Sequence, residues 1–414
     1  MHTRRQTSDC VTDGFVRSLA PIDRPARDPA RLAVVPVPMR ICLISVEIFA
    51  WGKYGGFGRA TRLIGRELAR RGHQVFAVVP RRRGQRQVED LDGITVLGFS
   101  PWQPFTAIAL LREADADIYH SCEPSLTSYL ALRAMPDRRH MVTFRDPRNA
   151  RDWLLEFARP SLSHLQVIHN CLFENNPLVR ACIGRMDSVY TIARYLGPKV
   201  QAMYGLPEPA RFLPTPVAIP SKIEKAERPT VCYVARMDRR KRPELFLELA
   251  AKFPQVRFLV AGRSRNQAWE ASLRRRFGHL DNVHMLGFVD QFGSSLHSEI
   301  FSKSWILVNT ATREALPNSL LEAAVHECAI LSHVDADEFA SRFGYHAAAD
   351  DFEQGLAWLL EHDRWRELGK AAGTYVREVF ELDRALDLHE AAYRQLLAKD
   401  SSTRVMSRQP GFGT

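Results

Sequence analysis

The sequence predicts an α/β protein with two doubly wound domains, and three observations lead to this prediction. Short runs rich in β-branched residues alternate with amphipathic helical patterns along most of the chain. A proline-rich segment near the middle interrupts this alternation, which then begins again. The chain has 414 residues, of which 45% are hydrophobic and 25% charged, as in ordinary globular proteins of two or three domains. Parallel sheets covered by helices on both faces produce such a pattern.

The first half of the chain carries six predicted strands, and helical patterns separate most of them. A helix is predicted over Gly58–Arg71, because apolar residues recur on one face and Gly72 follows the last turn. The strands are predicted at Ile41–Val46, Val75–Val79, Ile94–Leu97, Ile118–His120, Met141–Phe144 and Ser188–Ile192.

Prolines and a charged run interrupt the pattern between Phe212 and Pro229, and the alternation then resumes. The helices of the second half are predicted at Pro243–Lys252, Gln267–Phe277 and Pro317–His326. The strands of this half are predicted at Val231–Val234, Val256–Ala261, Val283–Leu286, Ile306–Val308 and Ala329–Ser332.

These patterns also predict where the domains begin and end. The predicted segments are an N-terminal domain at 39–215, a linker at 216–229, a C-terminal domain at 230–385, a last helix at 386–398 and a disordered tail at 399–414. Residues 1–38 lack sustained periodicity and are rich in proline and arginine, which predicts a disordered extension. A translation start at Met39 fits this interpretation, and an organelle transit peptide is the weaker alternative.

Charge and cysteine content limit the classes of function. The formal net charge is +10, which favours acidic substrates, nucleotide diphosphates or an anionic membrane surface. No recognition-helix motif or aromatic–basic RNA signature is visible, so a nucleic-acid-binding protein is the last alternative. The 7 cysteines are scattered and include no C-x-x-C pair, which predicts a reducing compartment and a cytoplasmic location.

The strongest motif is E-A-L-P-N-S-L-L-E, which places Glu314 before a predicted helix and Glu322 within it. Asn318 and Glu322 share one helix face, and carboxylates are good acceptors for the vicinal hydroxyls of a sugar or ribose. Leu316 is a poor N-cap, so the first helical N–H groups are left for an anion or a sugar hydroxyl. Each glutamate taken alone would be interpreted as a solvated charge.

Two cations follow a predicted strand in the segment A-R-M-D-R-R-K. Arg236 and Lys241 would lie beyond the carboxyl end of Val231–Val234, where ligands bind in doubly wound sheets. Two cations there can clamp a diphosphate and stabilise a leaving nucleotide. An ordinary basic loop is the alternative interpretation.

Glycines and a histidine follow strands in the first half. Gly55 and Gly56 lie between the first strand and the first helix, where a backbone without side chains can approach a ligand closely. This is not the dinucleotide fingerprint, because Thr61 occupies the place of its third glycine. His120 ends a predicted strand and could face a cleft, although a lone histidine is as often structural.

Together these motifs resemble the retaining GT-B glycosyltransferases of family 4, also called glycosyltransferase group 1, over about residues 40–398. The resemblance implies two Rossmann-like domains that bind acceptor and donor on the two sides of an interdomain cleft. It also implies that the last helix crosses back to the N-terminal domain.

The resemblance assigns roles to the motif residues. Glu314 and Glu322 look like the E-x7-E pair, in which the first contacts the donor sugar and the second the ribose. The segment L-G-F-V-D looks like the one whose backbone holds the base. The implied catalytic residues are Arg236, Lys241, Glu314 and His120, and the implied donor-binding residues are Gly55, Gly56, Phe288, Val289, Leu316, Asn318 and Glu322.

Three departures from the family pattern accompany the resemblance. Cys122 replaces the second histidine of H-x-H-x-P, and Arg145 replaces the histidine of T-x-H-D. Glu327 and Ala329 stand where a glycine and a proline are usual. The first two departures concern the acceptor side and leave the donor motifs intact.

The resemblance implies a metal-independent, retaining transfer of a hexose-type sugar to a hydroxyl acceptor, which would be a glycan or a lipid. The donor would be a nucleotide diphosphate sugar linked to UDP or GDP, with no further cofactor. A non-catalytic donor-binding relative and a nucleotide-sugar 2-epimerase are the alternatives.

The basic run R-R-R-G-Q-R at 81–86 suggests weak peripheral attachment to the inner face of an anionic membrane. Basic residues near such a surface each add about 1 kcal/mol of attraction. A solvated loop is the alternative interpretation, because basic runs are common in a chain so rich in arginine.

Residues 1–38 are predicted to be dispensable, because they lack the apolar surface needed to join a core. A shortened chain that begins at Met39 should express, melt and turn over substrate like the full chain. Melting temperatures of the two chains provide the measurement, and a large drop in the shorter one would show that the segment packs on the fold.

Overall fold

The buried β-branched runs form two separate sheets of mainly parallel strands, as predicted. The structure is a computed structural model that describes residues 37–52, 54–158, 160 and 163–406. The first sheet is formed by β1 (Arg40–Ile44), β2 (Gln74–Pro80), β3 (Val88–Leu91), β4 (Ile94–Phe99), β5 (Ile118–Ser121), β6 (Arg139–Phe144), β7 (Ser188–Thr191) and β8 (Arg211–Phe212). Their order is β3-β4-β2-β1-β5-β6-β7-β8, and the β3–β4 pair is antiparallel.

The second sheet lies in the C-terminal half, and its paired strands are parallel. It consists of β9 (Thr230–Val234), β10 (Arg257–Ala261), β11 (Val283–Gly287), β12 (Ile306–Asn309), β13 (Ala329–Ser332) and β14 (Gly344–His346). Their order is β11-β10-β9-β12-β13-β14. The sequence pattern does not predict β3, β8 and β14, which are short strands at sheet edges with few buried residues.

Helices connect most of the strands, as the alternating pattern predicted. They are α1 (Gly56–Arg70), α2 (Ala107–Ala114), α3 (Leu126–Ala134), α4 (Ala150–Ala158), α5 (His164–Glu174), α6 (Pro177–Ile183), α7 (Leu196–Tyr204), α8 (Pro243–Lys252), α9 (Gln267–Phe277), α10 (Leu296–Lys303), α11 (Asn318–Val325), α12 (Phe339–Phe343), α13 (Phe352–Leu360), α14 (Arg364–Val379) and α15 (Leu382–Met406). Within the described residues, none of the helices combines the length and the apolar character that crossing a membrane requires.

The structure describes little of the predicted N-terminal extension, but it describes the beginning of the predicted C-terminal tail. The predicted extension at 1–38 lies outside the described residues except for its last two positions. The predicted tail at 399–414 begins inside a helix, because α15 continues to Met406. No glycine or proline interrupts the sequence between Leu382 and that point, so nothing in the backbone chemistry ends the helix at residue 398.

Glycines let α1 begin close to the loop that follows β1. The Gly58 N–H donates a hydrogen bond to Glu47 Oε1 at 3.1 Å, and the Phe49 N–H donates to the Gly58 carbonyl. A Cβ atom on Gly58 would lie 2.8 Å from the carbonyl carbon of Ile48, and one on Gly55 would overlap the Glu47 carboxylate. The turn therefore requires glycine at Gly58, where the contact is with backbone, whereas a side chain on Gly55 would require the Glu47 carboxylate to move.

The last helix packs on the N-terminal sheet although the chain enters it from the C-terminal domain. Leu386, Tyr393 and Leu396 of α15 are buried in one cluster with Ile41 and Leu43 of β1. Arg71, which follows α1, forms ion pairs with three acidic residues of this helix, Asp383, Asp387 and Glu390. The helix therefore ties the two domains together.

Replacing Gly58 by alanine should lower the free energy of unfolding by about 1–3 kcal/mol, because the new methyl group would overlap fixed backbone. Gly56→Ala is the matched control, since its Cβ would meet Asn318 Nδ2 at an ordinary 3.6 Å. Urea unfolding of both variants provides the measurement. Equal stability of the two variants would contradict the packing argument.

Acid should destabilise the fold through His389, which lies buried in α15 with Nε2 3.0 Å from the Pro214 carbonyl. Burial lowers the pKa of His389 to about 4, and the nearby Arg145 adds to the effect. Between the ordinary pKa of about 6.5 and this value, the unfolded chain binds a proton that the folded chain does not. The unfolding free energy should therefore fall as the pH falls through this range, by about 3 kcal/mol in total.

Urea unfolding at pH 7 and again near the lowered pKa of His389, at a pH of about 4, tests this expectation. His389→Gln keeps an N–H donor for Pro214 but does not titrate, so this variant should lose less stability on acidification. An equal loss in the variant and the parent chain would show that other groups cause the pH dependence.

Candidate active site

Loops and helix starts that follow strands of the two sheets contact each other across a cleft. The Asn318 side-chain amide, at the start of α11, donates a hydrogen bond to the Gly56 carbonyl at 3.1 Å. Arg59 in the first turn of α1 forms an ion pair with Glu322 of α11. Arg313, after β12, donates to Asp152 of α4 at 2.9 Å. The glycine turn of the first half and the E-A-L-P-N-S-L-L-E motif of the second half therefore meet in one place.

Lys241 and Glu314, two of the predicted catalytic residues, form an ion pair with each other. Their side chains are 12% and 17% exposed, so both charges lie mostly out of water. Burial lowers the pKa of Lys241, and the nearby Arg240 and Arg236 guanidinium groups lower it further. Such a lysine is well suited to gain an anionic partner, because a second negative charge would stabilise its charged form.

Glu322, the predicted ribose contact, is also paired with a cation. Its side chain is 6% exposed and lies against Arg59, and His297 Nε2 lies 3.6 Å from its other oxygen. Burial lowers the pKa of Arg59 to about 9, which leaves it charged at neutral pH. Burial lowers the pKa of His297 to about 3, so Arg59 rather than the imidazole balances the carboxylate.

The helix that carries Glu322 begins one residue later than predicted. Pro317 occupies the N-cap position, and α11 starts at Asn318. Leu316 is buried in the core of the C-terminal domain, so its side chain faces that core and its backbone is what remains for a ligand. Neither Pro317 nor the N-cap of α1, Gly55, has a side chain able to cap its helix.

The predicted diphosphate cation Arg236 lies in a larger basic group. Its side chain is 31% exposed, and its guanidinium pairs with Asp238 at 3.1 Å. Arg265, in the loop after β10, interacts electrostatically with Arg236, Asp238 and Glu47. Burial lowers the pKa of Arg265, and Arg236 adds to this effect. Three strand-end loops thus bring charge to the same part of the cleft.

The predicted base segment follows β11 and meets aromatic side chains of the N-terminal domain. The Phe288 ring is 39% exposed, and its centroid lies 4.6 Å from that of Tyr54, beside the glycine turn. Phe49 stacks on Phe288 with the ring centroids 6.4 Å apart, and its centroid lies 5.3 Å from that of Phe292 in a tilted arrangement. Val289 packs against the core of the C-terminal domain.

His120 does not reach the cleft, which corrects the expectation of a catalytic role. Its side chain is fully buried, and its ring nitrogens lie 2.8 Å from the hydroxyls of Tyr393 and Thr143. Burial lowers its pKa well below the ordinary value, and His389 and Arg145 add to the effect. Helix α15 covers the end of β5, so this neutral imidazole packs and bonds inside the N-terminal domain.

The two acceptor-side departures from the family pattern, Cys122 and Arg145, contact each other. The Arg145 guanidinium hydrogen-bonds the Cys122 thiol and donates to Thr215 Oγ1 at 3.2 Å. Both side chains are buried, with relative exposures of 1% and 3%. Burial raises the pKa of Cys122 and lowers that of Arg145. The thiol is therefore a hydrogen-bonding group and not a reactive thiolate.

A network of ion pairs crosses the cleft beside Glu314. Arg313 bonds both Asp146 and Asp152, and Asp152 also accepts from Lys199 at 2.7 Å. Burial alone would raise the pKa of Asp146, but Arg313 and Arg148 hold it far below its usual range. A cavity of about 360 Å³ opens at this network and reaches Glu314.

Arg59, Arg265 and Arg313 are not predicted by any of the sequence motifs. Arg59 follows the glycine turn and Arg313 directly precedes Glu314, so their places beside motif residues were the available signal. Arg265 follows a predicted strand end, as Arg236 does. Each of the three contacts charges that are distant in sequence, which the sequence alone does not reveal.

Two family models match adjoining parts of the chain. The one described as Glycosyl transferases group 1 matches residues 217–370, and the one described as Glycosyltransferase Family 4 matches residues 54–219. The boundary between them falls near the predicted linker.

Curated relatives are similar to different shares of the chain. A phosphatidylinositol N-acetylglucosaminyltransferase subunit from Arabidopsis thaliana is 23% identical over 71% of this chain and 67% of its own length. The O-antigen biosynthesis glycosyltransferase WbnH of Escherichia coli is 34% identical over 36% of this chain. That match spans 43% of WbnH, less than half of its length.

Solved structures share the fold over most of the chain. Sucrose-phosphate synthase from Thermosynechococcus elongatus gives a TM-score of 0.68 at 17% identity, covering 87% of this chain and 99% of that one. HepE from Anabaena, in complex with UDP and glucose, gives 0.62 at 12% identity, covering 88% and 99%. The family matches and this shared architecture show that the chain belongs to the group 1 glycosyltransferases and has the GT-B fold.

Proposed function

We propose that this glycosyltransferase moves a hexose-type sugar from a nucleotide diphosphate sugar to a hydroxyl acceptor, with retention at the anomeric carbon and without a metal ion. One observation carries the proposal: cations and carboxylates alternate along the cleft, where Lys241 pairs with Glu314 within the C-terminal domain and Arg59 of the N-terminal domain pairs with Glu322 of the C-terminal domain. A nucleotide sugar carries the complementary groups, an anionic diphosphate between a sugar and a ribose. The diphosphate would bind the cations, and the two sets of hydroxyls would bind the carboxylates.

The donor would lie along the C-terminal side of the cleft. Arg236 and Lys241 would hold the diphosphate, while Glu314 binds the sugar and Glu322 the ribose. The backbone near Phe288 would hold the base. The glycine turn at Gly55 and Gly56, together with the start of α11 at Asn318, would approach the sugar and phosphates from both domains.

The transfer would rely on orientation and on stabilising the departing diphosphate. The bond from the anomeric carbon to the phosphate oxygen breaks, and the bond to the acceptor oxygen forms on the same face. The acceptor proton passes to the departing phosphate. Asp146 is held charged by Arg313 and Arg148, which supports assigning the proton to the phosphate and not to that carboxylate.

Relatives guide the choice of donor and acceptor. HepE has been solved in complex with UDP-glucose, which supports UDP as the first nucleotide to test, with GDP as the second. The names of the curated relatives refer to phosphatidylinositol and to O-antigen biosynthesis, which supports a lipid or glycan acceptor. The cavity beside Glu314 is the proposed acceptor site. The 6 described cysteines are free, which supports a cytoplasmic, reducing location.

A thermal-shift panel of UDP- and GDP-sugars tests the proposal first, because a ligand at 100 times its dissociation constant adds about 2.7 kcal/mol of stability. NMR of the stabilised mixtures then follows the sugar. Slow release of free sugar with retained anomeric configuration supports the transferase. An epimerised donor would instead identify a 2-epimerase, and binding without sugar release would identify a non-catalytic relative.

Lys241→Ala should weaken UDP binding about tenfold or more, since charged hydrogen bonds to a desolvated phosphate are worth about 1.5–3 kcal/mol each. Arg236→Ala should have a similar effect. Because the side chain of Arg236 is more exposed than that of Lys241, this substitution should disturb folding less. Titration calorimetry with UDP and GDP measures the affinities.

Lys252→Ala provides the matched control, because this lysine lies on the outer end of α8 with its side chain 56% exposed. It should bind UDP like the parent chain. Unchanged UDP and GDP affinities in both the Lys241 and the Arg236 variants would defeat the assignment of these cations to the diphosphate.

A further inference from the structure

Two loops at the carboxyl edge of the N-terminal sheet lie side by side. Strands β2 and β4 pair in parallel register up to Pro80 and Phe99. The Arg81 N–H then donates to the Phe99 carbonyl at 2.8 Å. The loop that follows β2, residues 81–87, therefore begins beside the loop that follows β4, residues 100–106.

The second of these loops exposes two aromatic side chains. Trp102 is 88% exposed and Phe105 is 65% exposed, although large apolar side chains are normally covered in a folded protein. Pro101 and Pro104 restrict the backbone on either side of Trp102. A stiff loop thus presents two rings outward, as an interaction surface does.

The first loop, which begins beside the loop that carries these rings, supplies positive charge. Its sequence is R-R-R-G-Q-R-Q, and Arg81, Arg83 and Arg86 are exposed. Arg86 pairs with Glu89 at 3.7 Å while 82% of its side chain stays accessible. Arg82 interacts electrostatically with Arg265 of the C-terminal domain, which brings the loop to the cleft.

We propose that Arg81, Arg83, Arg86, Trp102 and Phe105, named here the aromatic–basic rim, dock on the surface of an anionic lipid bilayer. The arginines would contact lipid phosphates, where basic residues are attracted to the negative surface. The rings would lie at headgroup level, the depth that tryptophan favours because its indole is both apolar and polar. Rings and guanidinium groups occupy the same edge, so one surface can meet both parts of the lipid.

This arrangement favours a bilayer over nucleic acid or a folded partner. The rim combines exposed rings with exposed cations on two neighbouring loops, which matches the apolar and anionic layers of a membrane surface. Docking would also place the cleft close to the membrane. The inference goes beyond the proposed function and does not depend on the chemistry in the cleft.

Co-sedimentation of the full chain with phosphatidylcholine vesicles, with and without phosphatidylserine, tests the rim. The chain should sediment with phosphatidylserine vesicles at low salt and less at high salt. Replacing Arg81, Arg83 and Arg86 by serine should weaken vesicle binding at least about tenfold. Trp102→Ser with Phe105→Ser should also weaken it, and the remaining binding should depend on salt as before.

A matched control exists on α9, where Arg274, Arg275 and Arg276 are exposed on the other domain. Replacing these three by serine removes the same charge and should leave vesicle binding unchanged. UDP binding, measured by thermal shift, should be the same in the two rim variants and in the α9 control. A loss of donor binding can therefore be told apart from a loss of vesicle binding.

Two results would overturn the inference. One is absence of sedimentation with phosphatidylserine vesicles at low salt. The other is equal sedimentation of the parent chain and both rim variants. Salt-sensitive retention on RNA that the rim variants lose, without any vesicle binding, would point to nucleic acid in place of the bilayer.

Discussion

The common direction of the strands is the constraint on which the cleft depends. In a parallel sheet, the loops that follow the strands all begin at the same side, where the carboxyl ends of the strands lie. The loops after β1, β6, β9 and β12 therefore bring together residues that are distant in sequence. Two such edges meet here, and each supplies charges that the other balances. Arg59 from the first sheet meets Glu322 of the second, and Arg313 from the second meets Asp152 of the first.

Burial explains why these charges come in opposed pairs. An uncompensated ion away from water costs several kcal/mol, so Lys241 and Arg59 each lie against a glutamate. Arg145 is accommodated differently, by the Thr215 hydroxyl and the Cys122 thiol. A cysteine is small enough to leave room for a guanidinium beside it. The two departures from the family pattern are therefore one local solution and not two unrelated changes.

The sequence predicted the strands and motifs that depend on local pattern. It did not predict the features that depend on contacts between residues distant in sequence. Long buried strands such as β2 and β10 carry a clear apolar run, whereas β3 and β14 lie at sheet edges with little buried surface. The motif around Glu314 was recognisable from spacing, but its pairing with Lys241 depends on how two loops meet. His120 shows the same limit, because only the path of α15 decides that its strand end is covered.

The path of α15 also has a consequence for how the protein is made. Leu386, Tyr393 and Leu396 complete the packing around β1, yet they are synthesised after the whole C-terminal domain. Part of one apolar face of the N-terminal sheet is therefore uncovered when it leaves the ribosome, a condition that favours association with chaperones or with other chains. Its native core closes only after the C-terminal domain and α15 have been synthesised, so the final packing of the first half depends on the second.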